Sequence, residues 1–108
     1  MSDRTLSKLE LAQIPLVGRY CEVRFETFTR RGIISEFTPD SGWINLDPKT
    51  LEQKCDPEGK KWEPAGRSLE MHLIREVGGS YAKASDEEVL TIWIQGPGAL
   101  VVYEKKPW

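Results

Sequence analysis

The sequence predicts a mainly β protein, built as a small bent antiparallel sheet or a partly open barrel of five to six strands with a short N-terminal helix. From Arg19 onward, apolar residues recur at every second position, the period of a half-buried strand. Turn-forming residues separate these runs. The 108 residues are 39% hydrophobic and 30% charged, an ordinary composition for a folded globule, so residues 1–108 are expected to form a single domain.

The helix is predicted over about residues 5–14. Leu6 and Leu9 fall on one side of it. Pro15 ends it, because the residue before a proline avoids the α region. A helix this short is marginal on its own, so its leucines are expected to dock on the sheet.

The alternation predicts six strands, at about residues 19–28, 32–37, 42–46, 69–77, 89–95 and 99–104. A three-residue turn at 29–31 pairs Phe25 with Ser35 and places Cys21, Val23 and Ile33 on one apolar face. Ile44 and Leu46 join that face, and Trp43 points outward. On the fourth strand, Leu69, Met71 and Leu73 are predicted to point inward and His72 outward.

The last two strands form the clearest predicted hairpin, joined by Gly96-Pro97-Gly98. This turn sets Ile94 opposite Leu100 and Ile92 opposite Val102, which makes one face wholly aliphatic. The other face then carries Thr91, Trp93, Val101 and Tyr103.

Residues 47–67 interrupt the alternation and are predicted to form a long loop. They contain Pro48, Pro57 and Pro64, together with two glycines. A connection of this length inside a compact domain is unusual, and is either functional or mobile.

The order of the elements resembles that of Sm-like and SH3-like barrels. The resemblance rests on Leu16-Val17-Gly18-Arg19, Gly32-Ile33-Ile34 and Ile44-Asn45-Leu46, and it covers residues 5–46. Farther on, Ile74-Arg75-Glu76 lacks the glycine that follows arginine in the Sm-like pattern, and the long insertion is foreign to it. The resemblance implies a small barrel that binds RNA or single-stranded DNA.

No residue pattern points to catalysis, a metal or a cofactor. His72 is the single histidine, and two cysteines, Cys21 and Cys55, do not have the spacing of a zinc site. Gly96-Pro97-Gly98 is not a phosphate loop, because proline removes an N–H donor. The protein is therefore predicted not to be an enzyme, and to use no cofactor.

Charge and hydropathy bear on partners and location. Fifteen basic residues stand against seventeen acidic ones, so the overall basic surplus typical of strong phosphate binding is absent. No apolar run is long enough to span a bilayer, and the N-terminus lacks the apolar core of a signal peptide. A cytoplasmic location without membrane contact is expected.

The leading prediction is a non-enzymatic binding module that acts through contact with another protein or with a second copy of itself. Clustered outward aromatic residues are typical of such interfaces, although another part of the chain could cover them instead. The predicted interaction surface consists of Trp43, Trp62, Trp93, Val101 and Tyr103. The alternative is an Sm-like protein that binds RNA or single-stranded DNA through Arg24, Arg30 and Arg31, with Trp43 as a stacking surface.

Overall fold

The computed structural model describes residues 4–54, 61–65, 70–85 and 89–107. These residues form ten short strands and one short helix. In chain order the elements are β1 (Arg4–Leu6), α1 (Lys8–Ala12), β2 (Tyr20–Arg24), β3 (Thr29–Thr38), β4 (Trp43–Leu46), β5 (Glu52–Lys54), β6 (Trp62–Pro64), β7 (Glu70–Leu73), β8 (Ala82–Ala84), β9 (Val89–Ile94) and β10 (Gly98–Tyr103).

All ten strands belong to one antiparallel sheet. Its main path runs β1-β8-β9-β10-β2-β3-β4-β7, and β5 and β6 extend from β3 as a side branch. The sheet bends until Ile74, just past β7, forms an isolated bridge with Ile94 on β9. The ladder does not continue beyond this contact, so the sheet is strongly bent but does not close into a barrel. The predicted mainly β class and small bent sheet are confirmed.

The concave side of the bend holds the hydrophobic core. The aliphatic face predicted for the last hairpin is confirmed, because Ile92, Ile94 and Leu100 are fully buried and Leu90 and Val102 nearly so. Both strands of the first hairpin and β4 contribute further, with Cys21, Val23, Ile34, Ile44 and Leu46 each at 0% exposure. One continuous cluster joins these residues.

The N-terminal segment differs from the predicted helix over residues 5–14. Its first residues form β1, which pairs with β8, and α1 has only five residues. Ser7 begins α1 through a capping box with Glu10. Leu6 and Leu11 are buried, whereas Leu9 is 74% exposed, because pairing with β8 removes Leu6 from the helical register.

The predicted register of the first hairpin is wrong. Phe25 N donates to Phe28 O, so the turn lies at residues 26–27 rather than 29–31. Cys21 therefore pairs with Gly32, and Ile34 rather than Ile33 points inward. The packing of Phe25 explains the shift: a Cβ on Gly98 would lie 2.7 Å from Phe25 Cε1, so this ring fills space that the glycine leaves open.

Strand β7 is also oriented differently from the prediction. Its alternation is shifted by one residue, so Met71 is 48% exposed and the His72 side chain is only 11% exposed. Pairing with β4 sets the shift, since His72 lies opposite the buried Ile44 and Met71 opposite Asn45. Leu69 lies outside the described residues.

The β9–β10 hairpin differs from its predicted pairing by two positions. Leu100 lies opposite Ile92 and Val102 opposite Leu90. A two-residue shift leaves every side chain on its original face. Each residue of the hairpin therefore still points to the side of the sheet that was predicted.

The predicted long loop at 47–67 contains two strands. Asp47 accepts from Lys49 N and starts a turn, after which β5 pairs with β3 and β6 pairs with β5. Gly32 allows this branch to pack, because a Cβ there would lie 3.2 Å from both Leu51 Cδ2 and Thr50 Oγ1.

Candidate functional site

A polar cluster lies at one end of the concave side. Arg30 pairs with the buried Val23, and Glu70 pairs with the buried Leu46, so both side chains share the face of the core. Arg30 Nη1 donates to Glu70 Oε1, and His72 Nε2 lies 3.1 Å from Glu70 Oε2. Three polar side chains from β3 and β7 thus meet across the bend.

Two phenylalanine rings connect the ends of this cluster. The Arg30 guanidinium lies 4.6 Å from the centroid of Phe28, the Phe28 and Phe25 centroids are 4.8 Å apart, and His72 lies 5.6 Å from Phe25. The contacts therefore form a closed ring of five side chains in which Glu70 bridges Arg30 and His72. Of these side chains, Phe25 also packs against the hydrophobic core.

The cluster keeps Glu70 ionised. Burial alone would raise the pKa of Glu70, but its interactions with the neighbouring His72 and Arg30 outweigh burial and hold the pKa below its ordinary value. Glu70 Oε2 and His72 Nε2 lie close enough to pair, but in the described part of the chain neither buried atom meets hydrogen-bond geometry with any group. A hydrogen bond between these two atoms would require a proton on Nε2.

The three arginines predicted to contact nucleic acid each bind a carboxylate of this chain. Arg24 Nε lies 2.9 Å from Glu22 Oε1, and Arg31 Nε lies 2.9 Å from Glu52 Oε1. Arg30 binds Glu70 as described above. A phosphate would have to compete with these partners, which weakens the electrostatic attraction that single-strand binding needs.

The predicted interaction residues Trp62, Val101 and Tyr103 have partners within the chain. Arg31 lies 4.0 Å from the centroid of Trp62, which places this ring on the β5–β6 branch against β3. Val101 is only 5% exposed, between Glu22 and Thr91 on the neighbouring strands. Tyr103 Oη accepts from Arg24 Nη2 at 3.4 Å. These three residues offer less surface to a partner than the sequence suggested.

Trp43 and Trp93 lie on the convex side, near the bridge between β7 and β9. Trp43 is 38% exposed and pairs with Leu73. Leu73 O accepts from Gln95 N at 2.8 Å, and Arg75 N donates to Trp93 O at 2.9 Å. Together with the exposed Met71, these residues line one continuous stretch of the sheet. We call Trp43, Met71, Leu73 and Trp93 the β7 surface.

Sequence reasoning missed Met71 and Leu73, because it placed both in the core. The sequence did contain a signal for the correct orientation. Shifting the alternation by one residue turns His72 and Ile74 toward the core, and isoleucine is a strongly apolar residue. His72 obscured this signal, because a histidine is rarely assigned to the buried face of a strand.

The described residues offer neither a reactive cysteine nor a cluster of metal ligands. Cys21 is fully buried, and burial, together with Glu70 and Glu22, raises the pKa of its thiol, so the reactive thiolate is disfavoured. Within the described ranges, no group of three or more His, Cys, Asp or Glu side chains could hold a metal ion. Cys55 lies outside those ranges.

Comparison of the chain with protein-family models, with curated proteins and with solved structures finds no match. The similarity to Sm-like and SH3-like barrels therefore stays a resemblance of the sequence over residues 5–46. Over the described residues, no helix combines the length and apolar character needed to cross a bilayer.

Proposed function

We propose that this protein is a non-enzymatic interaction module that binds another protein, or a second copy of itself, through the β7 surface. The observation that carries the proposal is the exposure of large apolar side chains together on one side of the sheet, with Trp43 at 38% and Met71 at 48%. Tryptophan and methionine are enriched at protein interfaces, and a cluster of exposed apolar residues is more informative than scattered ones.

The position of β7 in the sheet supports the same surface. Among the described strands, β7 is the last on the main path and its ladder runs along β4 alone, although the backbone oxygen of Leu73 at its end already accepts from Gln95 N. An edge strand offers backbone hydrogen-bonding groups next to the exposed side chains. A partner strand beside Met71 would combine backbone pairing with apolar burial.

Self-association is the first form of the proposal to test, by light scattering at increasing protein concentration. The wild-type protein is expected to approach twice the chain mass, and a Trp43→Ser, Met71→Ser double variant to keep the mass of one chain. A Leu9→Ser, Val17→Ser variant is the matched control, since it removes two apolar residues that are exposed elsewhere, at 74% and 60%. If both double variants dissociate equally, the β7 surface is not the interface.

Contact with a different protein is tested in the native host by placing a photo-crosslinking residue at position 71, with position 9 as control. A discrete adduct at position 71 alone is expected if the wild-type protein is a monomer. A monomeric protein that crosslinks to nothing at position 71 would contradict the proposal in both forms.

A further inference from the structure

A second surface feature lies outside the β7 surface, between the β2–β3 turn and the end of β5. It is a cavity of about 300 Å³. The ladder between β3 and β5 pairs Arg31 with Glu52 and Arg30 with Gln53 and then stops. The cavity lies next to this end of the ladder and is lined by residues of both segments.

The cavity wall combines aromatic and hydrogen-bonding groups. Phe25 and Phe28 supply the aromatic part, and Thr27, Thr29, Gln53 and Lys54 supply the polar part. The two rings are held in place by their neighbours, since Phe28 packs against Arg30 and Phe25 against His72. A preorganised wall of this kind binds a ligand without first having to order its side chains.

Several polar groups on the wall can donate hydrogen bonds. Gln53 Oε1 accepts from Arg30 Nε at 3.2 Å, which uses one of its two lone pairs, and the NH₂ group of this amide can donate to a ligand. Within the described residues, Lys54 forms no ion pair. The two threonine hydroxyls can donate as well. One carboxylate, that of Glu26, also lines the cavity, but this residue is exposed, where water screens its charge.

These groups define the chemistry of a ligand. A purely apolar molecule would desolvate Lys54 and Gln53 without replacing their hydrogen bonds, which is unfavourable. A simple inorganic anion would leave the two phenylalanine rings unused. A flat ring that carries an anionic group satisfies both parts of the wall, since rings pack edge to face on Phe and the anion bonds Lys54. The volume is at the small end for ligand pockets, and suits one such unit.

We propose that this cavity binds a small aromatic anion, with its ring against Phe25 and Phe28 and its anionic group at Lys54. This site is independent of the β7 surface, so either proposal can fail without the other. It also differs from the arginine surface that the sequence suggested for nucleic acids.

The proposal is tested by titrating isotope-labelled protein and following its backbone amide NMR signals. The probes are adenosine monophosphate, adenosine, inorganic phosphate and 4-hydroxybenzoate. Adenosine monophosphate is expected to shift the amides of Thr27, Thr29, Gln53 and Lys54 in a saturable manner. If 4-hydroxybenzoate shifts the same amides in place of adenosine monophosphate, the ligand is an aromatic carboxylate rather than a nucleotide, and the proposed class of aromatic anions is retained.

Two variants separate a built site from general charge attraction. Lys54→Gln is expected to weaken adenosine monophosphate binding about tenfold, the effect of losing one charge-assisted hydrogen bond. Lys49→Gln is the matched control, an exposed lysine on a different turn, and should leave binding unchanged. Thr27→Ala, in an exposed turn, removes one wall hydroxyl and should weaken binding to a lesser degree.

Four results would overturn the proposal. The first is that neither aromatic anion gives saturable shifts, and the second is that the shifts fall on residues away from the cavity. The third is that inorganic phosphate alone binds with equal affinity. The fourth is that the Lys54→Gln and Lys49→Gln proteins lose affinity equally. Equal affinity for adenosine and its monophosphate would also contradict the proposal, because the anionic group would then gain nothing from Lys54.

Discussion

His72 Nε2 lies 3.1 Å from Glu70 Oε2, and the two side chains are only 11% and 10% exposed. They belong to the same strand, two residues apart, so both point to the concave side of the sheet. Arg30 reaches the other oxygen of the carboxylate from β3. This contact ties β7 to β3 across the bend, and it identifies Glu70 as the residue on which the cluster depends.

Replacing Glu70 with Gln is expected to destabilise the protein by about 1–3 kcal/mol, because a half-buried arginine loses its charged partner. Urea unfolding measures the change. Glu76→Gln is the control, since Glu76 is exposed, and should change the stability by less than about 0.5 kcal/mol. Equal effects of the two substitutions would show that the ion pair contributes nothing specific.

Stability is expected to depend on pH through the same residue. The pKa of Glu70 is lower in the folded protein than its ordinary value, so its contribution is fully present above the unfolded pKa of about 4.3 and is lost as the pH falls through the folded pKa. Unfolding free energies between about pH 6 and pH 3 should therefore fall more steeply for the wild type than for Glu70→Gln. Parallel curves would contradict this assignment.

Gly98→Ala is expected to cost about 1–3 kcal/mol, because the added Cβ would overpack the contact with Phe25. That Cβ would lie 2.7 Å from Phe25 Cε1 and 3.0 Å from Arg24 O. The same substitution should cost less in a Phe25→Ala background, as a double-mutant cycle by chemical unfolding would show. Additive losses in the cycle would mean that the ring does not set the need for glycine.

Trp62→Leu is expected to loosen the β5–β6 branch while leaving the core intact. The substitution removes the contact of Trp62 with Arg31, 4.0 Å from the ring centroid, worth about 0.5–1 kcal/mol at a partly exposed site. Hydrogen exchange at the amides of Glu52 and Gln53 should accelerate, with exchange at Ile92 on β9 as the internal control. Unchanged exchange at β5 would argue against the predicted role of this contact.

The thiol of Cys21 is expected to resist modification in the folded protein. It is fully buried, and burial raises the pKa of the thiol, so little thiolate forms near neutral pH. A Cys55→Ser protein, with one remaining thiol, should react with a disulfide reagent only on unfolding in urea. Rapid reaction under native conditions would show that β2 opens readily.

The predictable features were those that depend on alternation within one strand. Cys21 and Val23, and the aliphatic set on β9 and β10, were assigned correctly to the core, and a two-residue error in the last hairpin register left their faces unchanged. The first hairpin could not be predicted in the same way. Its turn position depends on where Phe25 packs, and Gly98, the residue that makes room for it, is distant in sequence.

The candidate site was predictable only in part. Trp43 and Trp93 were expected to point outward, and they do lie on the convex side. Met71, Leu73 and the ring around Glu70 required the structure, because the direction of each side chain on β7 is set by pairing with β4. Side chains along a strand alternate between two faces. When both faces contain apolar residues, the sequence of the strand does not show which face is buried.

The sequence by itself determined the strand-rich class and the aliphatic face of the last hairpin, because both follow from residues close together in the chain. The tertiary structure alone decided the registers, the open ends of the sheet and the meeting of Arg30, Phe25, Phe28, Glu70 and His72. Those contacts join segments far apart in sequence, and their geometry is fixed by packing between strands, which no local pattern encodes.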